Sequence, residues 1–349
     1  MKDIALHAHS ESKLLQFQEL ARHHYDSCPG YKAILDRYFT SADLSGALED
    51  LPFLPAEIFK THALKSIDDD AVFKVLKSSG TTSQQRSQIY LDRDTARAQS
   101  KALSEIVATV LGKKRRPMLV IDSPAQIANR ASFSARGAGI LGFSAFGTKT
   151  YFALNDDMSL NHDRIDAFLS HEADQMFIFG FTAIIWQEFL SQISPGMLAD
   201  VAGSAVLLHG GGWKKLAAQN ISSQTFIATV KERLPFVKSV HDYYGMVEQT
   251  GSIFLGNETG YLETNAYNDI ICRDQVTLAP LPDGQVGVLQ VLSTLPTSYP
   301  GFSILTEDVG RIIGKSDAGA YGQSRKIFEV HGRMAQAEVR GCSDTYQGR

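Results

Sequence analysis

The chain has 349 residues, of which 44% are apolar and 21% charged, and its formal net charge of −4 gives no footing for the sequence-independent binding of nucleic acid that a basic protein achieves. Cys28, Cys272 and Cys342 are an odd number without Cys-x-x-Cys spacing, which indicates neither a disulfide framework nor a zinc site. No apolar run reaches the ~18 residues of a spanning helix, Met1 to Ser10 does not read as a signal peptide, and a cytoplasmic protein is expected.

Residues 1–70 read as helical pieces broken by turns, with one helix over Lys13 to Tyr25 and another over Ser41 to Glu49, ahead of the Leu51-Pro52-Phe53-Leu54-Pro55 break. Ser78 to Ser87 is a polar, glycine-containing loop. Asp92 then stands where a side chain can cap a helix running to Leu111. Lys113 to Arg116 read as a solvated turn. Met118 to Ile121, Met176 to Phe179 and Ala205 to Leu208 are short apolar runs closed by turn residues. Helical patterns at Asp163 to Ser170, Thr182 to Ile193 and Ser222 to Arg233 lie between or after them. Strands alternating with helices predict an α/β fold, its mostly parallel sheet covered by helices on both faces. From about Gly260, β-like segments such as Val286 to Leu292 are separated by Pro and Gly and predict a smaller β-rich unit. The expected organisation is a helical region over 1–70 packed on the core, an α/β core over 71–259, a β-rich subdomain over 260–330, and a short tail over 331–349 carrying Cys342.

The strongest local signal is Lys77-Ser-Ser-Gly-Thr-Thr-Ser-Gln-Gln-Arg-Ser87. Backbone amides and clustered hydroxyls can wrap a polyphosphate, glycine lets the backbone approach closely, and arginine offsets the charge. The competing reading is a polar surface loop. The segment lacks the G-x-x-x-x-G-K-[ST] pattern of a Walker loop. Gly142 to Thr150 comes near that pattern, but Lys149 falls one place late and Phe143 and Phe146 suit packing, which reads as a glycine-rich structural turn.

His209-Gly210-Gly211-Gly212-Trp213-Lys214-Lys215 follows a buried-looking strand. Parallel sheets place ligands at the carboxyl ends of their strands, and bare backbone can lie against a flat ring; a tight turn is the alternative. An esterase oxyanion loop would need a G-x-S-x-G elbow, which the sequence lacks. In His241-Asp-Tyr-Tyr-Gly-Met-Val-Glu-Gln249, Tyr243 and Tyr244 offer a stacking face for a base, or fill core or rim, and Glu248 is a carboxylate able to hold Mg²⁺. Leu305 to Arg311 and His331-Gly332-Arg333 supply a carboxylate and a guanidinium, suited to ribose hydroxyls or to an ordinary surface. Phe177 to Ile185 either line an acyl tunnel or fill the core.

Taken in this order, the motifs resemble those of adenylate-forming enzymes, and more closely those of the acyl-protein synthetases of the bacterial bioluminescence type, the LuxE family. Lys77 to Ser87, Leu208 to Lys214, Tyr244 to Gln249, His331 to Met334 and Ala337 to Cys342 carry the resemblance, which spans about residues 50–349. It implies an adenylate-forming-enzyme-like core and a reaction using ATP and Mg²⁺. Ser79, Gly80, Thr81, Thr82, Ser83 and Arg86 would meet the ATP phosphates. Gly211, Gly212, Tyr244 and Gly245 would border the adenine, Glu248 would serve Mg²⁺, and Asp308 and Arg333 would address the ribose. Cys342 would accept the acyl group and pass it to a partner such as an acyl-CoA-reductase-like protein. In the wider superfamily a mobile lid with a catalytic lysine follows Gly-Arg; sixteen residues follow Arg333 here, so no full-length C-terminal lid domain is expected. The implied substrate is a carboxylic, fatty acid. Two other readings stay open, an acyl-CoA ligase with a free thiol acceptor and a nucleotide-binding module without turnover.

Overall fold

A computed structural model describes residues 2–39, 44–78, 86–128, 135–171, 175–198, 201–211, 221–316 and 324–334. Its helices are α1 (Lys2–Ser27), α2 (Pro29–Tyr38), α3 (Ile58–Thr61), α4 (Arg93–Leu111), α5 (Ala125–Ala128), α6 (Ala135–Ser144), α7 (His162–Leu169), α8 (Thr182–Ile184) and α9 (Ser223–Arg233). Its strands are β1 (Leu54–Pro55), β2 (Lys74–Lys77), β3 (Gln88–Leu91), β4 (Arg116–Ile121), β5 (Gly147–Phe152), β6 (Met176–Phe181), β7 (Ala205–Gly210), β8 (Val237–Tyr244), β9 (Phe254–Gly256), β10 (Leu262–Glu263), β11 (Asn268–Arg273), β12 (Gly287–Ser293), β13 (Ser303–Ser316) and β14 (Arg325–Arg333). Two compact units result. The first runs to Ile106 and takes in Gly245–Phe254 and the described residues from Leu262 on; the second takes in Val107–Tyr244 and Leu255–Tyr261. Among the described residues no helix is long and apolar enough to cross a membrane.

In the first unit β11, β12, β13 and β14 pair antiparallel in that order, β10 pairs with β14, and the two-residue β1 runs parallel to β13. β11 and β12 are buried along their whole length. Asp269 on β11 is one of the charged residues buried with them. Its carboxylate lies 3.1 Å from Lys13 Nζ of α1 and 2.8 Å from Lys326 Nζ of β14, and it accepts from the Ile270 amide at 2.8 Å. Burial would raise its pKa, but Lys326 and Lys13 outweigh burial and hold it down at about 2. α1 is thereby tied to two strands. A second tie is His24, whose Nε2–H donates to Pro296 O at 3.0 Å while Nδ1 accepts from Ser66 Oγ at 2.7 Å; burial pushes its pKa down to about 3, so the ring is neutral.

The second unit contains the parallel sheet expected from the sequence, in the order β5, β4, β6, β7, β8. β6 and β7 are buried at every position, as central parallel strands are when both faces are covered. At the carboxyl end of β4, Asp122 accepts from Arg136 at the start of α6 through both its oxygens, a buried bidentate pair.

Local expectations fared unevenly. Asp92 caps α4, accepting from the Thr95 amide at 2.7 Å. No α-helix forms over 44–49, the described part of the helix expected from Ser41 to Glu49. Residues 40–43 lie outside the described residues, and the stretch from Leu44 to Leu51 holds a single 3₁₀ turn, Leu48–Asp50. The Gln18 side-chain amide instead donates to Ser45 O and Gly46 O, both at 2.9 Å, using carbonyls a helix would need. Thr182 to Ile193 is not one α-helix but a single α turn, a π turn over Ile185–Phe189 and a 3₁₀ turn over Leu190–Gln192. Ile184, Ile185, Phe189 and Leu190 are all buried, too many faces for one amphipathic stripe. The glycine-rich segment at 142–150 is a structural turn, as expected, with the chain turning at 145–146 between α6 and β5. Gly142 belongs to α6 and Gly147 opens β5, while the Phe143 ring stacks on Phe179 at 4.5 Å.

Candidate functional site

In the first unit, Glu248 sits in a 3₁₀ turn, Val247–Gln249, fixed from three sides. Tyr299 O–H donates to Glu248 O at 2.8 Å, and the Gln249 side-chain amide donates to Gly301 O at 2.9 Å and Val291 O at 3.2 Å. Gly251, at φ +87°, lies so close to α4 that a Cβ there would stand 2.5 Å from Gln99 O. The Glu248 carboxyl is buried, and burial raises its pKa; Ser87, its own backbone amide, Lys60 and Arg333 favour the charged form. Ser87 closes the neck of the predicted phosphate loop. Its amide donates to Ser78 Oγ at 2.9 Å, and Ser78 N donates to Ser87 O at 3.1 Å. The Ser87 hydroxyl is buried beside the Glu248 carboxyl and favours its charged form.

A desolvated carboxylate beside a buried hydroxyl is an oxygen-rich corner that suits a hard cation. Among the described residues no three His, Cys, Asp or Glu side chains converge as metal ligands. An Mg²⁺ here would therefore take one protein carboxylate, with water and phosphate oxygens completing its shell, which is the usual manner of that ion at a nucleotide. The residues present fit the group.

Asp308 and Arg333 are register partners across β13 and β14, with Arg333 Nε 3.5 Å from Asp308 Oδ1. Both remain partly exposed. Next to them, burial and then Glu57 raise the pKa of Glu307, while Lys60 and Arg333 oppose the rise. Lys60 Nζ lies 3.2 Å from Glu57 Oε1, and Met334 N donates to Glu307 O at 2.9 Å. Arg86 is exposed at the base of the loop, and Gly245 is exposed with Ile253 beside it. Glu248, Asp308 and Arg333, read from separate motifs, thus share one unit. Three neighbours had no assigned role. Ser87 could have been found as the end of the hydroxyl-rich loop and Glu307 as the residue before Asp308, but nothing in the sequence marks Lys60.

In the second unit, β7 ends in His209-Gly210, and Gly211 follows at φ +102°. Thr182 Oγ1 lies 2.9 Å from His209 Nδ1. Burial, then the neighbouring His241, push the His209 pKa down to about 3, so that ring is neutral. Gly210 pairs with Tyr243 across β7 and β8, and a Cβ on Gly210 would stand 2.3 Å from the Tyr243 ring. The flat ring that requires bare backbone here is therefore the protein's own. Tyr243 also packs on Phe143 at 5.0 Å and stacks on Phe179 at 6.4 Å. Successive strand residues point to opposite faces, so Tyr243 and Tyr244 do not form one stacking surface; Tyr244 is half-buried on the other face. Ser79, Gly80, Thr81, Thr82, Ser83, Gly212 and Cys342 lie outside the described residues.

The fold matches crystal structures of 2-hydroxyisobutyryl-CoA ligase. An open conformation of that enzyme with 2-HIB-AMP and CoA superposes with a TM-score of 0.68 over 94% of this chain and 70% of that one, at 14% identity. Its postadenylation state with 2-HIB-AMP gives 0.66 over 93% and 68%, also at 14% identity. At that identity the likeness is one of fold, and the fold is that of an adenylate-forming ligase. The particular family follows from sequence. The profile "Acyl-protein synthetase, LuxE" matches residues 3–348, and the chain belongs to that family. A long-chain-fatty-acid–luciferin-component ligase of Vibrio harveyi is 23% identical over 341 residues, covering 92% of this chain and 84% of the relative. The ligase of the same description from Aliivibrio fischeri is 26% identical over 139 residues, covering 39% and 36%. The chain is an enzyme, a ligase of the acyl-protein synthetase type.

Proposed function

We propose that this ligase activates a fatty acid with ATP and Mg²⁺ and then passes the acyl group through Cys342 to a protein partner, an acyl-CoA-reductase-like enzyme, in the cytoplasm. The fatty acid is suggested by the substrates in the relatives' names. The observation that carries the adenylation reading is the buried Glu248 carboxyl with the buried Ser87 hydroxyl beside it, at the neck of the hydroxyl-rich loop. In the first step a substrate carboxylate oxygen attacks the α-phosphorus of ATP, the bond to the β-phosphate oxygen breaks, and pyrophosphate leaves. Bound Mg²⁺ supplies charge neutralisation to the phosphates. Glu248 holds the ion, Ser79, Gly80, Thr81, Thr82, Ser83 and Arg86 hold the phosphates, and Asp308 with Arg333 orients the ribose. Gly211, Gly212, Tyr244 and Gly245 border the adenine. In the second step the Cys342 thiolate attacks the acyl carbonyl of the mixed anhydride and AMP departs.

An acid-dependent ATP–pyrophosphate exchange assay over a panel of chain lengths tests the reading. Exchange that rises with a fatty acid is the expected result. Absence of exchange with every acid, in folded protein that binds MgATP, would overturn it, and AMP release that needs added CoA would move the acceptor from Cys342 to a free thiol.

A further inference from the structure

Lys60 belongs to no motif, but the fold delivers it to the candidate site. β1 lies parallel to β13 with Leu54 opposite Ile304 and Pro55 opposite Leu305, and Ala56 N donates to Leu305 O at 3.0 Å. α3 follows at once. Its buried Phe59 meets the Tyr299 ring edge-on at 6.2 Å, and Tyr299 is the residue whose hydroxyl holds Glu248 O. The segment carrying Lys60 is thus anchored to the strand that bears Glu307 and Asp308, and to the residue that fixes the Glu248 turn. From there the Lys60 ammonium acts on both the Glu248 and the Glu307 carboxyls.

Its present partner is a weak one. Lys60 Nζ is 3.2 Å from Glu57 Oε1 within α3's first turn, and the Glu57 side chain is 64% exposed against 31% for Lys60. Solvated pairs of this kind contribute little, so the ammonium is easily redirected. The charge balance gives it somewhere to go. Glu248, Glu307 and Asp308 present three carboxyls, and Arg333 lies against Asp308. A triphosphate adds further negative charge, of which one Mg²⁺ offsets only a part. A cation on a long, flexible stem with three donors matches what is lacking.

We propose that Lys60 is a phosphate-binding residue of this enzyme, leaving Glu57 to donate to the β- and γ-phosphates of the ATP held at Glu248. There it stabilises the negative charge that gathers on the departing pyrophosphate. The proposal rests on the adenylation reading above. It predicts a dependence on phosphate number, because AMP lacks the two groups Lys60 would meet.

Isothermal titration of the full chain with MgATP and with AMP, for wild type, Lys60→Met, Lys60→Arg and Glu57→Gln, tests it. Lys60→Met should weaken MgATP at least about tenfold, the loss of one charge-assisted contact, and change AMP affinity less than about twofold. Lys60→Arg should recover most of the MgATP affinity, and Glu57→Gln should leave it equal or tighter. Unchanged MgATP binding in Lys60→Met would overturn the proposal while leaving adenylation standing. So would equal losses for MgATP and AMP, or a loss in Glu57→Gln as large as in Lys60→Met, since each points to a structural ion pair. Wild-type protein that binds no MgATP refutes the adenylation reading and this proposal together.

Discussion

Gly210→Ala is a sharp test of how the glycine run after β7 is built. The added Cβ would lie 2.3, 2.6 and 2.7 Å from three atoms of the Tyr243 ring, where ordinary contact begins at 3.4 Å. The ring must therefore recede by about 1 Å or β7 must shift within its ladder. Neither is easy. Phe143 at 5.0 Å and Phe179 at 6.4 Å back the ring, both are buried, and Gly210 is locked between β6 and β8. Overpacking of this kind costs about 1–3 kcal/mol. Urea unfolding at pH 7 should show that loss in Gly210→Ala. The same change made in Tyr243→Ala, where the obstacle is gone, should cost less than about 0.5 kcal/mol. An equal cost in both backgrounds, or none in the first, would refute the account of Gly210 as the seat of the Tyr243 ring.

Glu248→Gln should slow pyrophosphate exchange at least about tenfold and raise the Mg²⁺ concentration required. Because burial raises the Glu248 pKa above its ordinary 4.5, the folded state is penalised once pH climbs past that value; the variant should thus be more stable than wild type at pH 7 and lose that advantage below pH 4.5. Unchanged exchange and Mg²⁺ dependence would make Glu248 structural. Asp269→Asn should cost about 2 kcal/mol at pH 7, from the fall of the carboxyl pKa from 3.8 to about 2. That stability is present above the ordinary pKa and vanishes as pH drops toward 2, so a difference that widens on acidification would contradict the two-lysine clamp. Cys342→Ser should keep acid-dependent exchange while losing a hydroxylamine-sensitive acyl label on the denatured chain, and a label that survives would assign the acceptor to another cysteine.

The parallel sheet was legible because β6, β7 and Met118–Ile121 of β4 lie buried, and strands covered on both faces read as near-continuous apolar runs. The cap at Asp92 was legible for an equally local reason. Features set by partners far along the chain were not. Asp308 and Arg333 could be named from separate motifs, but their pairing depends on the β13–β14 register, which includes two irregularities. Lys60 was invisible because its place depends on a two-residue strand, β1, too short to leave a pattern. The Ser41–Glu49 expectation failed over 44–49 because local propensity says nothing of Gln18, a side chain on α1 that captures the carbonyls. Tyr243 and Tyr244 are neighbours in sequence but not in direction, a consequence of strand alternation.

The turn that carries Glu248 is held by a tyrosine hydroxyl, a glutamine amide reaching two carbonyls, and a glycine pressed against α4. Its backbone geometry is consequently settled when the chain folds, not when a substrate arrives. The conformational entropy of placing that carboxylate is spent in folding and does not recur with each turnover. The amides from Val247 to Ser252 should accordingly rank among the slowest to exchange with deuterated solvent, at a rate indifferent to nucleotide.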